Sequence, residues 1–223
     1  MTDVLDRLGA TGRFIWGGWS GLAALALFAA LWQAGHEAYG DFILPAPLVT
    51  ISGAINILSS PKNWAIFIAT MRRALIGFTL SACIGGFTGL IAGYSPATMR
   101  LARALLTVIL GVPPIAWLVL ALIWFGATDG MVIITILVGA VPLVFGASRL
   151  HRFWSVRFRQ ILAHLFPALL LGLPSSSKAA VMIEVLSFVS GIGNELAKAR
   201  QYMDETQALA WMAGLVLYGS AIT

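Results

Sequence analysis

From Ala74 to Gly93 the chain runs without a charge, and inside that run a small residue recurs at every fourth position: Gly77, Ser81, Gly85, Gly89 and Gly93. At helical pitch these five share one slowly drifting face. The run is about long enough to cross the ~30 Å hydrocarbon core of a bilayer. A ridge of small side chains lets a second helix backbone come close, which is how helices associate in lipid, where no hydrophobic drive separates them from solvent. The feature therefore asks for a membrane bundle with at least one tightly packed helix pair, and the ridge reads as packing rather than as a binding site.

A second uncharged run follows at Ala104–Phe125, after a turn at Ser95-Pro96 and a pair of arginines, Arg100 and Arg103. Pro113-Pro114 interrupts it, so it should kink, and kinks can serve as hinges. With 59% hydrophobic and 10% charged residues and a mean hydropathy of +0.90, a soluble core is excluded. Six spans are expected: Phe14–Ala34, Ala74–Gly93, Ala104–Phe125, Met131–Ser148, Ile161–Val185 and Ala208–Thr223. Placing the N-terminus inside gathers Arg7, Arg13, Arg100, Arg103, Arg149, Arg152, Arg157 and Arg159 on the inner side against only Asp3 and Asp6. The positive-inside bias thus predicts a multi-pass inner-membrane protein with both termini cytoplasmic, and the net charge of +5 is an orientation signal rather than a nucleic-acid footprint. The single cysteine, Cys83, offers no disulfide framework.

The chain reads as one transmembrane domain, residues 1–223: an anchor helix at 1–34, an external segment at 35–73 and core helices at 74–223. The first span is read as a retained helix, since its flank carries acids and its apolar run continues past the cleavable-looking Ala24-Leu25-Ala26. In the external segment, Leu44-Pro45-Ala46-Pro47 enters extended, Leu48–Leu58 is apolar on one face, and Ser59-Ser60-Pro61 breaks it. Trp64–Arg73 then reads as an amphipathic surface helix leading into the second span.

The order Leu-Pro-x-Pro, Thr70-x-x-Arg73-x-x-x-Gly77-Phe78, Gly85-x-x-x-Gly89-x-x-x-Gly93, Pro113-Pro114-x-Ala116 and Trp124-Phe125-Gly126 resembles the membrane-spanning permease subunit of bacterial ABC importers. The likeness is greatest to the branch serving nitrate, sulfonate, taurine and vitamin-precursor uptake. Glu184, Gly191-x-Gly193, Ala197 and Tyr202-x-Asp204 extend the match toward the C-terminus. The resemblance implies an all-α type I importer permease, working with a second permease copy as a homodimer. It also implies ATPase subunits on the cytoplasmic side and a periplasmic solute-binding protein outside. ATP and Mg would then be bound by the ATPase partner and no cofactor by this chain, which would not itself be an enzyme. No metal-ligand spacing, nucleophile elbow or phosphate loop is visible.

One segment departs from that pattern. Permeases of this family carry a coupling helix, with a Glu-Ala-Ala run, that docks on the ATPase. Here the corresponding stretch, Arg149 to Gln160, is shorter and has no acid. Two readings stand. Arg149, Arg152, Phe153, Trp154 and Arg157 form a compact basic-aromatic coupling helix whose arginines pair acids on an ATPase. Alternatively the loop is an ordinary snorkelling one, and the chain is a degenerate, non-transporting permease-like subunit.

Ionisable residues within spans mark interiors and paths. The fifth span holds His164, at its inner boundary, with Lys178 and Glu184. Lys178 follows Pro174-Ser175-Ser176-Ser177, where the helix could open and line a path. Lys178 and Glu184 stand about 240° apart on a helix and so need separate partners. Lys178 either attracts an anionic substrate or snorkels. Glu184 either gates or bonds a neighbouring helix, and a proton-coupled secondary carrier working through Glu184 is the remaining alternative. The candidate pathway is therefore Ser175, Ser176, Ser177, Lys178 and Glu184, for a small anionic or vitamin-precursor solute moved by alternating access.

Overall fold

The computed structural model describes residues 2–148 and 158–220. Among them the chain is all-helical: α1 Thr2–Tyr39, α2 Pro47–Ser59, α3 Pro61–Tyr94, α4 Pro96–Gly111, α5 Pro114–Phe125, α6 Asp129–Ser148, α7 Phe158–Ser187, α8 Ile192–Gln201 and α9 Glu205–Ser220. The expected coupling residues Arg149, Arg152, Phe153, Trp154 and Arg157 lie outside the described residues.

Proline sets much of this punctuation. Helices α2, α3, α4 and α5 each begin on a proline, whose fixed φ suits the first helical position and whose missing N–H would have had no helical partner there. Ser95 caps α4 by accepting a hydrogen bond from the Ala97 N–H at 3.2 Å. Between α4 and α5, Val112 and Pro113 each precede a proline and are extended, with ψ of 127° and 139°. The two helices consequently meet at 88°, so the expected kinked span Ala104–Phe125 is a right-angled pair. Gly126, at φ +64°, stops α5.

Two other expectations are corrected. Trp64–Arg73 is not a separate surface helix: α3 continues from Pro61 to Tyr94 without a breaker, so a boundary at residue 73 falls inside it. Nor does α7 open at Pro174–Ser177. It runs through them to Ser187, the Ser177 hydroxyl donating back to the Leu173 carbonyl at 3.1 Å. The interruption comes later, at residues 188–191, and α8 leaves at 43°. By length and composition α3 and α6 can each cross a membrane, and the bent pairs α4–α5 and α7–α8 bring the total to four among the described residues searched.

The small-residue face of α3 packs on α6. A Cβ at Gly77 would stand 2.9 Å from Ile136 Cγ2, and one at Gly85 would stand 2.8 Å from the Val141 carbonyl oxygen. Ser81, fully buried between them, donates to the Gly77 carbonyl at 2.6 Å. Gly89 is buried on the same face and Gly93 half-buried at its end. Around this spine lie two cores. Ala74, Leu118, Met131, Ile136 and Ile183 join α3, α5, α6 and α7. Phe67, Val181, Ile192 and Trp211 join α3, α7, α8 and α9, the Phe67 and Trp211 rings lying 5.7 Å apart. By contrast α4 buries no residue, and α1 is exposed from Gly21 to Leu31, with Trp32 just beyond donating to the Pro45 carbonyl at 3.0 Å.

Candidate functional site

Thr70 and Arg73 share one face of α3 with Gly77 and Ser81, so the helix that carries the packing ridge also aims a hydroxyl and a guanidinium at its neighbours. Arg73 is buried, not placed at an external surface as charge counting implied. Its Nη1 donates to Glu184 Oε1 at 2.7 Å and to the Ser190 carbonyl at 2.5 Å. Its Nε donates to Asp129 Oδ1 at 2.8 Å, and Arg72 closes on the other oxygen of the same carboxylate. Two cations and two acids thus form a neutral set spanning α3, the first turn of α6 and the end of α7. The N-terminus of α6 is itself favourable for Asp129.

Glu184 has no solvent exposure. Its Oε1 faces Arg73, while Oε2 accepts from the Thr70 hydroxyl at 2.9 Å and from the Gly193 N–H at 3.1 Å. Thr70 in turn accepts from the Ile192 N–H at 3.0 Å. The first two amides of α8 are therefore satisfied by side chains of α3 and α7. The glycines of Gly191-x-Gly193 follow from that closeness: a Cβ at Gly191 would fall on the Glu184 carboxylate, and one at Gly193 would stand 2.6 Å from Glu184 Cβ. A buried carboxylate is tolerable only when its partners replace water, and here each oxygen has one. The chemistry of this cluster is attachment: it fixes α3, α6, α7 and α8 to one another.

The serines and Lys178 divide between two other places. Ser175 and Ser176 line an open-sided cavity of about 330 Å³ bounded by α3, α5, α6 and α7, with Phe78, Thr135, Ile136 and Met182 among its walls and, among the described residues, no charged one. Ser177 and Lys178 line a second cavity, about 400 Å³, among α3, α7, α8 and α9, beside Phe67, Thr70 and Val181. Glu184 lines neither. Successive residues of α7 turn about 100°, so Pro174–Lys178 cannot all face one path. Pro114 stands at the rim of the first cavity, next to the α4–α5 bend, whereas Pro113 sits in the bend itself. Among the described residues no His, Cys, Asp and Glu converge as a metal site.

Sequence reasoning missed Arg73 and Asp129 as site residues. The signal was available for Arg73: its spacing from Thr70 and Gly77, at i, i+3 and i+7, places it on the packed face. Asp129, just after a Gly-x-x turn and alone in its stretch, carried none.

Comparison with known proteins shows what the chain is similar to. Residues 143–223 match the family model described as binding-protein-dependent transport system inner membrane component. Along most of its length the chain is similar to a putative aliphatic sulfonates transport permease protein of Bacillus subtilis, 26% identical over 93% of this chain and 82% of the relative. It is also 29% identical to a riboflavin transport system permease protein of Chloroflexus aurantiacus, over 97% of this chain and 90% of the relative. A taurine transport system permease protein of Escherichia coli is 22% identical over 88% of this chain and 82% of its own length. The alignment to the Bacillus protein runs over 230 positions, more than the 223 residues of the chain, so that relative carries residues absent here. The chain is thus similar to inner-membrane permease components of binding-protein-dependent transport systems, and its described residues are all-helical.

Proposed function

We propose that this chain is the translocating subunit of an ATP-driven importer. Two copies enclose a central path, ATPase subunits carrying ATP and Mg act from the cytoplasm, and a periplasmic solute-binding protein delivers the solute. The single observation that carries the reading is the open-sided cavity bounded by α5, α6 and α7. It lies between the two bent pairs, α4–α5 and α7–α8, and beside the tightly packed α3–α6 spine. A rigid spine flanked by bent helices suits alternating access, in which bundles rock about a site while their own packing persists. Ser175 and Ser176 lie on the path in this reading. Lys178 faces a separate cavity, and Glu184 serves as a clamp held by Arg73, Thr70 and Gly193 rather than as a proton carrier.

The N-terminus lies in the cytoplasm, so that the basic stretch with Arg149, Arg152, Phe153, Trp154 and Arg157 faces the ATPase. A ligand moves a two-state equilibrium only through contacts that differ between the states, and this loop is where ATPase contacts would act. The names of the relatives span sulfonates, taurine and riboflavin, which leaves the solute between a small anion and a vitamin-like molecule. Co-expression with a neighbouring ABC ATPase, followed by purification in mild detergent, tests the assembly. A stable complex whose ATP hydrolysis rises in liposomes supports it. Failure to co-purify would favour a non-transporting, permease-like subunit.

A further inference from the structure

Among the described residues the wall of the α5–α6–α7 cavity carries no charge, and that bears on what can pass it. Its polar groups are three hydroxyls: Thr135, Ser175 and Ser176. Thr135 spends its proton on the Met131 carbonyl at 2.9 Å, so toward the cavity it offers only lone pairs. Those lone pairs suit a solute that brings N–H or O–H donors. At Thr135 they disfavour an oxyanion, which brings only acceptors, while Ser175 and Ser176 are hydroxyls of either sense. Phe78 adds an aromatic wall, and Met182 a polarisable one.

Arg73 and Lys178 cannot make up the deficit. Arg73 is buried and committed to Glu184, Asp129 and Ser190, and Lys178 lines the other cavity, across α7. If a second copy closes the path, it brings the same uncharged wall. Desolvating a small oxyanion against such a wall costs several kcal/mol, and the Ser175 and Ser176 hydroxyls, with no cation beside them, can offset only part of it. The volume points the same way: about 330 Å³ in one protomer is in the range of organic-ligand pockets, far larger than an inorganic anion needs.

We infer that the solute is an uncharged organic molecule, partly aromatic or apolar and carrying hydrogen-bond donors, rather than a nitrate-like or sulfonate-like anion. The inference rests on reading this cavity as part of the path, and its test separates the two. In a Cys83→Ser background, Ser175→Cys is introduced into the full chain and reconstituted in lipid vesicles. It is then reacted with three thiosulfonate reagents of shared chemistry that do not cross the bilayer: a neutral sugar conjugate, the anionic sulfonatoethyl compound and the cationic trimethylammonioethyl compound. A cysteine at the exposed Tyr202 gives the reference rates.

The expected result is that the neutral reagent modifies Ser175→Cys at least about tenfold faster than either charged one, after division by the Tyr202→Cys rates. Equal or faster reaction with the anionic reagent would overturn the uncharged-solute assignment and leave the path reading standing. No reaction with any of the three, while Tyr202→Cys reacts, would overturn the path reading itself. Thr135→Cys provides a second position on the wall should Ser175→Cys fail to fold, and the same outcomes apply to it.

Discussion

Replacing Glu184 by Gln asks whether the buried cluster holds the bundle together. The change preserves shape and leaves one acceptor for the Thr70 hydroxyl and the Gly193 N–H, but it removes the charge that faces Arg73 at 2.7 Å. Both partners are buried, so solvent cannot screen the loss. Removing one partner of such a pair typically costs about 3–5 kcal/mol, because an uncompensated charge stays behind. Arg73 keeps Asp129 at 2.7 Å, which argues for the lower end, about 3 kcal/mol. Asp129→Asn is the informative contrast. That carboxylate is 42% exposed and its loss is partly made good by water, so the expected cost is below about 1 kcal/mol. The assay is unfolding free energy in bicelles by steric trapping, with wild type, the single variants Glu184→Gln, Asp129→Asn and Arg73→Gln, and the Arg73→Gln/Glu184→Gln double variant. The double variant should lose much less than the sum of the singles, a coupling of about 2 kcal/mol for residues in direct contact. If Glu184→Gln lies within 0.5 kcal/mol of wild type, or Asp129→Asn costs more, the cluster is not the clamp described.

Neighbouring glycines on α3 should respond oppositely. Gly85→Ala places a Cβ 2.8 Å from the Val141 carbonyl oxygen and should destabilise by about 1–3 kcal/mol as α3 and α6 are forced apart, whereas Gly86→Ala meets open space and should gain a few tenths to about 1 kcal/mol of helix propensity. The same unfolding assay reads both. Among the described residues Thr50 is fully buried with no partner for its hydroxyl, so Thr50→Val should be neutral or stabilise by about 1 kcal/mol; a loss above that size would mean the hydroxyl has a partner.

Much of the frame was readable because proline and glycine act locally. The starts of α2, α3, α4 and α5, and the stop at Gly126, are properties of single residues and need no partner to explain them. The α3 ridge was likewise a matter of helical pitch. The cluster was not readable in the same way. Hydropathy and charge counting put Arg73 outside because an arginine pair before an apolar run resembles a flank. Its neutralising partner, Glu184, lies 111 residues away and is invisible to any window. The motif Thr70-x-x-Arg73 and the pair Glu184 and Gly191-x-Gly193 were both noticed, yet only the fold reveals them as halves of one contact. The Pro-Pro break announced a bend but not its 88°, since two extended residues leave the exit angle to tertiary packing. The Pro174–Lys178 patch looked like one path-lining segment. Rotation along an unbroken α7 sends its members into two cavities.

The central claim, that ATP hydrolysis elsewhere changes access to this cavity, is most directly tested on its wall. Met182 lines the cavity and is 64% exposed, so Met182→Cys in the Cys83→Ser background should accept a thiol reagent added from outside proteoliposomes that also contain the ATPase. The account predicts that trapping the ATPase with ATP and vanadate changes the modification rate by about tenfold relative to the nucleotide-free complex. An unchanged rate while ATP is being hydrolysed in the absence of vanadate would contradict it.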